Sequence, residues 1–315
     1  MHFHRKSKFL ASACAAFAIA ATTVGCAPAQ TMSTPVASTQ APASSVGIEG
    51  PALWRVADED TTIYVFGTVH ALPDDVNWYS GTVKNALDSS DTLVTEIDMT
   101  PAAKAETAAL FQRTATLPAG TTLRSLLTEE QRTDYEALLT EFGMPVNALD
   151  TVEPWGAALA LSQIAFARAG IDGENGTEKV LEEKIGDRLG RDALETAAFQ
   201  LEIFDGLPQD AQIDYLMETV TEIDTVVPML NQIIAEWAEG DVDDLGALLN
   251  EALEADPVLA DRMLYSRNKT WAGWIDERLD SPGTIFMAVG AGHLAGNRSV
   301  QDYLAERGIS MTRVQ

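Results

Sequence analysis

Between Thr61 and His70 the chain reads TTIYVFGTVH, an apolar, β-rich run that closes on Gly-x-x-His. Thr284 to His293, TIFMAVGAGH, repeats the plan far downstream. Short apolar runs bounded by glycine predict buried strands. Upstream, ALWRVADED and the turn at Asp58 to Asp60 pair the first run into a hairpin. Downstream, Val83, Ala86 and Leu87 fall at helical spacing, and Asp91 to Asp98, DTLVTEID, predicts a short buried strand with Glu96 near its end. Strand, helix, strand in that order predicts a βαβ unit, and open α/β sheets bind ligands at the carboxyl ends of their strands. His70 and Glu96 are therefore expected as neighbours across one sheet edge.

From Pro101 to about Gly186 the pattern is helical. Thr128-Glu129-Glu130 starts one helix, Gly143 and Pro145 stop it, and Pro154 begins another. Gly170 to Gly176 is rich in turn residues, lacks the spacing of a calcium loop, and predicts a plain loop. Arg191 to Thr196, RDALET, reads as a short strand or a helix start, and it sets Glu195 where Glu96 stands in its own segment. Pro208 to Glu239 predicts one or two amphipathic helices packed over the sheet, and Val242 to Leu253 another. A last long helix runs from Asp256-Pro257 to Asp280–Gly283, with Arg267 and Asn268 in its middle. A helix over Ser299 to Arg307 and a final strand complete the pattern. The expected fold is α/β, a sheet covered by many helices, with a helical insertion around residues 101–280.

The first residues break from this pattern. MHFHRKSKF is basic, LASACAAFAIAA is small and apolar, and TTVGCAPAQ follows. The apolar run is shorter than the ~20 residues of a spanning helix, so residues 1–25 read as a signal peptide. Thr23-Val24-Gly25-Cys26 resembles a lipoprotein box with Cys26 as the lipidated residue, although Thr23 stands where that pattern prefers Leu. Cleavage after Ala29 is the other reading. Residues 26–49, rich in Ser, Thr, Pro and Ala, bury too little apolar surface to order themselves and read as a tether. The protein is expected in the periplasm or cell envelope, touching the membrane only through the N-terminal lipid.

Both cysteines, Cys14 and Cys26, lie in this region. A disulfide, a thiolate metal site and a cysteine nucleophile are thereby excluded from the folded domain. The net charge of -26 repels phosphate backbones, so nucleic acid is not an expected partner.

Of four histidines, His2 and His4 fall in the leader, which leaves His70 and His293, and both close a Gly-x-x-His opened by Gly67 or Gly290. Two imidazoles and the Glu96 carboxylate on strand ends suit a divalent ion such as zinc, manganese or cobalt. A metal-free form stands beside it, with one histidine as general base, Glu96 orienting it and the other histidine stabilising charge. Arg267 has two readings, a fixed cation for a substrate carbonyl or an arginine laid over tryptophans. Glu153 and Asp98 read as structural, as does Glu195, the likeliest exception. No GxSxG or phosphate-binding loop occurs.

LWRV, YVFGTVHALP, LVTEID, EPW, LET, SRNKTWAGWI and VGAGHLAGNRSVQDYLAERGI, in this order over roughly residues 50–315, resemble the TraB/GumN family, which includes the Tiki proteases and is related to PrgY. The resemblance implies an erythromycin esterase-like fold, a mixed sheet of two related halves. It also implies a metal-dependent, peptidase-like site at His70, Glu96 and His293, with Arg267 and Asn268 matching the family's Arg-Asn. Erythromycin esterase-type relatives are thought to work without metal. The expected activity is hydrolysis of a peptide or small molecule, and the competing reading is a non-catalytic binding protein.

Overall fold

The computed structural model describes residues 50–171, 173–254 and 257–315. The leader, Cys26 and the tether lie outside the described residues. Six strands, β1 (Leu53–Ala57), β2 (Thr61–Thr68), β3 (Thr92–Thr95), β4 (Gly190–Ala193), β5 (Gly283–Gly290) and β6 (Thr312–Arg313), form one mixed sheet in the order β4-β3-β5-β2-β1-β6. The four strands β4, β3, β5 and β2 are mutually parallel, and β1 and β6 add antiparallel pairings at one side.

The expected hairpin is β1 with β2, Leu53 facing Phe66 and Ala57 facing Thr62. The expected βαβ unit is present with one change. Helix α1 (Gly81–Asp88) joins β2 to β3, but β5 lies between them, pairing Thr61 to Gly283 through Thr68 to Gly290 on one side and Thr92 to Ile285 through Thr95 to Ala288 on the other. The two parallel strands are thus one strand apart rather than adjacent. Burial explains the insertion. Ile285 through Gly290 are all buried, as a strand with a neighbour on each edge and cover on both faces must be.

Alternation along the strands builds two cores. Ile63, Val65, Val94, Ile285, Met287 and Val289 face one side with Trp271 and Ile275, whereas Phe66, Leu93, Phe286 and Ala288 face the other with Trp78, Leu181 and Trp237. β4 is an exposed edge strand, and its Arg191 and Asp192 discourage pairing with another chain.

Helices fill the span from β3 to β5: α2 (Pro101–Thr114), α3 (Leu123–Leu126), α4 (Glu129–Glu141), α5 (Pro154–Arg168), α6 (Thr177–Ile185), α7 (Ala197–Asp205), α8 (Gln209–Glu239) and α9 (Val242–Glu254). The expected helical insertion is interrupted by β4, so the RDA of RDALET lies in a strand and its Thr196 caps the helix that follows. The helix start expected at Thr128 is present, and Thr128 caps α4 through a reciprocal bond with Gln131. Pro208 to Glu239 is one helix rather than two. Its first half, with Leu216, Val220 and Ile223, packs into a separate helical core around Trp155 and Tyr135, while Leu230, Ile233 and Trp237 pack on the sheet. Many of these helices therefore cover one another instead of the sheet, since Leu117, Leu139, Leu161 and Phe204 need burial the sheet does not offer.

The last long helix is α10 (Pro257–Ala260), a π-helical turn over Asp261–Tyr265, and α11 (Ser266–Arg278). A π turn inserted into an α-helix commonly marks a functional position, and Arg267 stands in the first turn of the helix that follows this one. Helix α12 (Val300–Glu306) precedes β6. Among the described residues no helix is long and apolar enough to cross a membrane.

Candidate functional site

Each of the four parallel strands delivers polar residues at its carboxyl end. His70 follows β2, Glu96 follows β3, Glu195 follows β4, and β5 ends at Gly290 with His293 in the short 3-10 turn Ala291–Leu294. Backbone pairing continues past β3 and β4, where the Glu195 amide donates to the Glu96 carbonyl at 2.8 Å, so the two carboxylates are held side by side.

Arg267 lies between them with 3% of its surface exposed. Its Nε–H donates to Glu195 Oε1 at 2.8 Å, and Nη2 donates to Glu96 Oε2 at 2.6 Å and Glu195 Oε2 at 2.9 Å. Nη1 donates to the Met263 carbonyl at 2.9 Å and faces His293 Nε2 at 3.0 Å. All five N–H groups of the guanidinium are thereby engaged. The reading of Arg267 as a cation for a substrate carbonyl gives way to that of a buried cross-link, and its stacking on Trp271, 4.8 Å from the ring, belongs to the same packing.

Glu96 also accepts from the Gly290 amide at 2.7 Å and from Gln200 Nε2 at 2.8 Å. Burial acts to raise its pKa, but Arg267, His293, His70 and the Gly290 amide outweigh burial and hold it near about 2. Glu195 accepts in addition from Trp271 Nε1 at 3.0 Å and Gln200 Nε2 at 3.2 Å. Glu195 is thus a full member of the cluster rather than a surface acid, and the burial of two carboxylates is offset by one guanidinium, an amide, an indole and a backbone N–H.

His293 is buried at the back of this network. Its Nδ1 lies 2.6 Å from Asn268 Oδ1, so Nδ1 carries the proton and the Nε2 lone pair accepts from Arg267. Burial first, then the adjacent Arg267, depress its pKa to about 3, so the ring is neutral in ordinary buffers. Asn268 is oriented in turn by its Nδ2–H, which donates to the Arg298 carbonyl at 2.8 Å. Arg298, with φ 56°, is the one non-glycine residue in the left-handed region among those described. Such a conformation costs about 1–2 kcal/mol, and here it aims that carbonyl at Asn268.

His70 differs. It is partly exposed at the strand end, and its Nδ1 lies 2.5 Å from Oε1 of Glu178 in the first turn of α6. Burial would raise the pKa of Glu178, but His70 and the nearby Thr68 hydroxyl hold it below the ordinary value. Gly67 lies inside β2, and a Cβ there would meet Ala291 Cα at 3.2 Å, so the absence of a side chain lets the two Gly-x-x-His segments touch. Its carbonyl accepts from Trp237 Nε1 at 2.8 Å.

The expected metal donors can be compared with coordination geometry. Ligands bound at roughly 2.0–2.2 Å stand no more than about 4.4 Å apart. His293 Nε2 and Glu96 Oε1 are 3.9 Å apart. His70 does not join them: among the described residues the one group of three His, Cys, Asp or Glu donors within 4.8 Å of one another is Glu236, Asp241 and Asp244, at the α8–α9 junction. Arg267 also occupies the Nε2 lone pair of His293. As they stand, His70, Glu96 and His293 do not fit a divalent ion, because a guanidinium takes the space that the ion needs. Glu178 and Gln200 are the residues missed from sequence. Glu178 sits in TEKVLEEK among surface acids, and Gln200 is one polar position in an apolar helix, so neither carries a local signal.

The chain belongs to the TraB/PrgY/gumN family, whose model matches residues 52–313. It is 24% identical over 255 residues to the uncharacterized protein YbaP of Escherichia coli K12, covering 81% of this chain and 92% of YbaP. The YbaP protein of Shigella flexneri is 24% identical over 242 residues, covering 76% and 87% of the two chains. No solved structure matches the chain.

Proposed function

We propose that this TraB/PrgY/gumN family member is a hydrolase that cleaves an acyl bond of a peptide or small molecule at the carboxyl edge of its sheet. His70 is the proton acceptor. One observation carries the assignment: the Nε2 lone pair of His293 is committed to Arg267 in a buried network, whereas His70 stands partly exposed at a strand end. Water gives a proton to His70 as its oxygen bonds to the acyl carbon, and the same proton then passes to the leaving group as the acyl bond breaks. Glu96, Arg267, Glu195 and His293 act as the rigid floor that fixes the strand ends. The metal-free form is the one this donor geometry favours.

Turnover of a peptide, ester and amide library by the purified protein tests the reading. His70→Ala should lower turnover by about 10²- to 10⁴-fold, the range of general base catalysis. Retained ligand capture by a wild-type protein that turns nothing over would instead make it a binding protein. On the reading of residues 1–25 as an export signal, the reaction is proposed for the cell envelope, and Cys26→Ala should abolish lipid incorporation and release the protein from membranes. An unchanged membrane fraction would remove the lipoprotein reading.

A further inference from the structure

We infer that Gly176, Thr177 and Glu178 form a clamp on the end of β2, and that Glu178 is the positioning residue that decides which ring nitrogen of His70 carries the proton. The inference rests on the reading of His70 as proton acceptor. The clamp starts from a close approach of backbones. A Cβ on Gly176 would lie 2.1 Å from the His70 carbonyl oxygen and 2.8 Å from its carbon, closer than any real side chain, so glycine is required for contact and not for a turn. Thr177 then binds Val69 from both sides. Its amide and hydroxyl reach the Val69 carbonyl at 3.0 and 3.1 Å, and the Val69 amide lies 3.1 Å from the hydroxyl oxygen.

These contacts fix the start of α6 against the histidine's own backbone. The next residue, Glu178, is 5% exposed, and its Oε1 lies 2.5 Å from His70 Nδ1. Its other oxygen is 3.3 Å from the Thr177 hydroxyl, and the helix N-terminus favours a negative charge at this position. At 2.5 Å an imidazole lone pair and a carboxylate repel, so the proton resides on Nδ1 and the lone pair is on Nε2. Asn268 does the same for His293 with a neutral amide. One partner is charged and the other is not, and only the charged one strengthens its ring as a base.

The test is ¹⁵N NMR of the full chain labelled at histidine, with His70→Asn assigning the His70 signals. The wild type should show the Nδ1–H tautomer at His70 with a protected Nδ1–H proton. Glu178→Ala should lose that proton signal and shift the ring toward Nε2–H, with the His293 signals unmoved as the control for the fold. A His70 ring that keeps Nδ1–H in Glu178→Ala overturns the inference, as does Nε2–H in the wild type. If Glu178→Ala does not fold, the isosteric Glu178→Gln decides. Its Nδ1–H resonance should move upfield or vanish because the acceptor has lost its charge, and an unmoved resonance overturns the clamp. With a substrate in hand, Glu178→Gln should lower kcat and leave KM near its wild-type value. A confirmed tautomer in a protein without turnover would retain the clamp and discard the hydrolase.

Discussion

Arg267 and Glu96, 171 positions apart in the chain, are joined at 2.6 Å with side chains 2% and 5% exposed. The pair ties the end of β3 to the helix that follows the π turn. Arg267→Met would retain bulk but leave Glu96 and Glu195 buried with no counter-charge, a change that costs about 3–5 kcal/mol. Arg267→Lys should recover little of it, because an ammonium has three donors where five are used. Denaturant unfolding checks both, and a midpoint within error of wild type for Arg267→Met would show that the pair contributes nothing.

Stability should fall as pH falls, and the sign follows from the depressed groups. Burial and then Arg267 push His293 in the folded chain down to about 3 from an ordinary 6.5, and for Glu96 burial acts upward but is outweighed by Arg267 and its neighbours, which hold it down to about 2 from 4.5. The unfolded chain therefore takes up protons first, the stabilisation is complete above those ordinary values, and it is lost as pH drops through the folded ones. Unfolding free energy should decline from about pH 6.5 toward about pH 2. A profile flat from pH 7 to pH 4 would contradict the burial of His293, and one flat from pH 4 to pH 2 would contradict the partners that keep Glu96 ionised.

Asn268→Ala would remove the acceptor of His293 Nδ1–H and the donor to the Arg298 carbonyl. The buried Nδ1–H of His293 is then unsatisfied, at about 1–3 kcal/mol, and the exposed Arg298 loses the donor to its carbonyl. Asn268→Asp should also be worse than wild type, since it adds a third carboxylate to a cluster with one guanidinium. Thermal melts rank the two variants, and a melting temperature equal to wild type in either would count against the network.

Metal removal should change little at this site. The purified protein is expected to hold less than one equivalent of manganese, cobalt or zinc by elemental analysis, and dialysis against a chelator should leave its melting temperature unchanged. A stoichiometric ion lost together with stability would require Arg267 to move aside and would restore the two-histidine metal centre.

Much of this site was readable from the chain alone because its residues sit at the ends of apolar runs. His70, Glu96 and His293 each follow such a run on the same sheet edge, and runs such as TIFMAV announce strands whatever surrounds them, whereas Glu195 follows the polar RDA and reads from sequence as structural. The position of β5 between β2 and β3 was not readable, since strand order depends on which apolar face finds cover. Arg267 was visible as a residue, but its role was decided by the two acids that converge on it across the sheet. Glu178 was hidden for a plainer reason: its helix presents Glu182 and Glu183 in the same short stretch, and only the backbone contact at Gly176 separates it from them.

The central position of β5 also governs how the polypeptide reaches its native state. Its partner strands begin at Thr61 and Thr92, while β5 begins at Gly283, so every helix between β3 and β5 must be synthesised before the middle of the sheet exists. Until then β2, with Ile63, Val65 and Phe66, and β3, with Leu93 and Val94, each present an unpaired edge, the kind of surface that pairs with other chains. Contacts this distant in sequence slow folding. Nascent chains that stop short of Gly283 should therefore depend on holding chaperones, and release from them should coincide with emergence of the last strand of the sheet's interior.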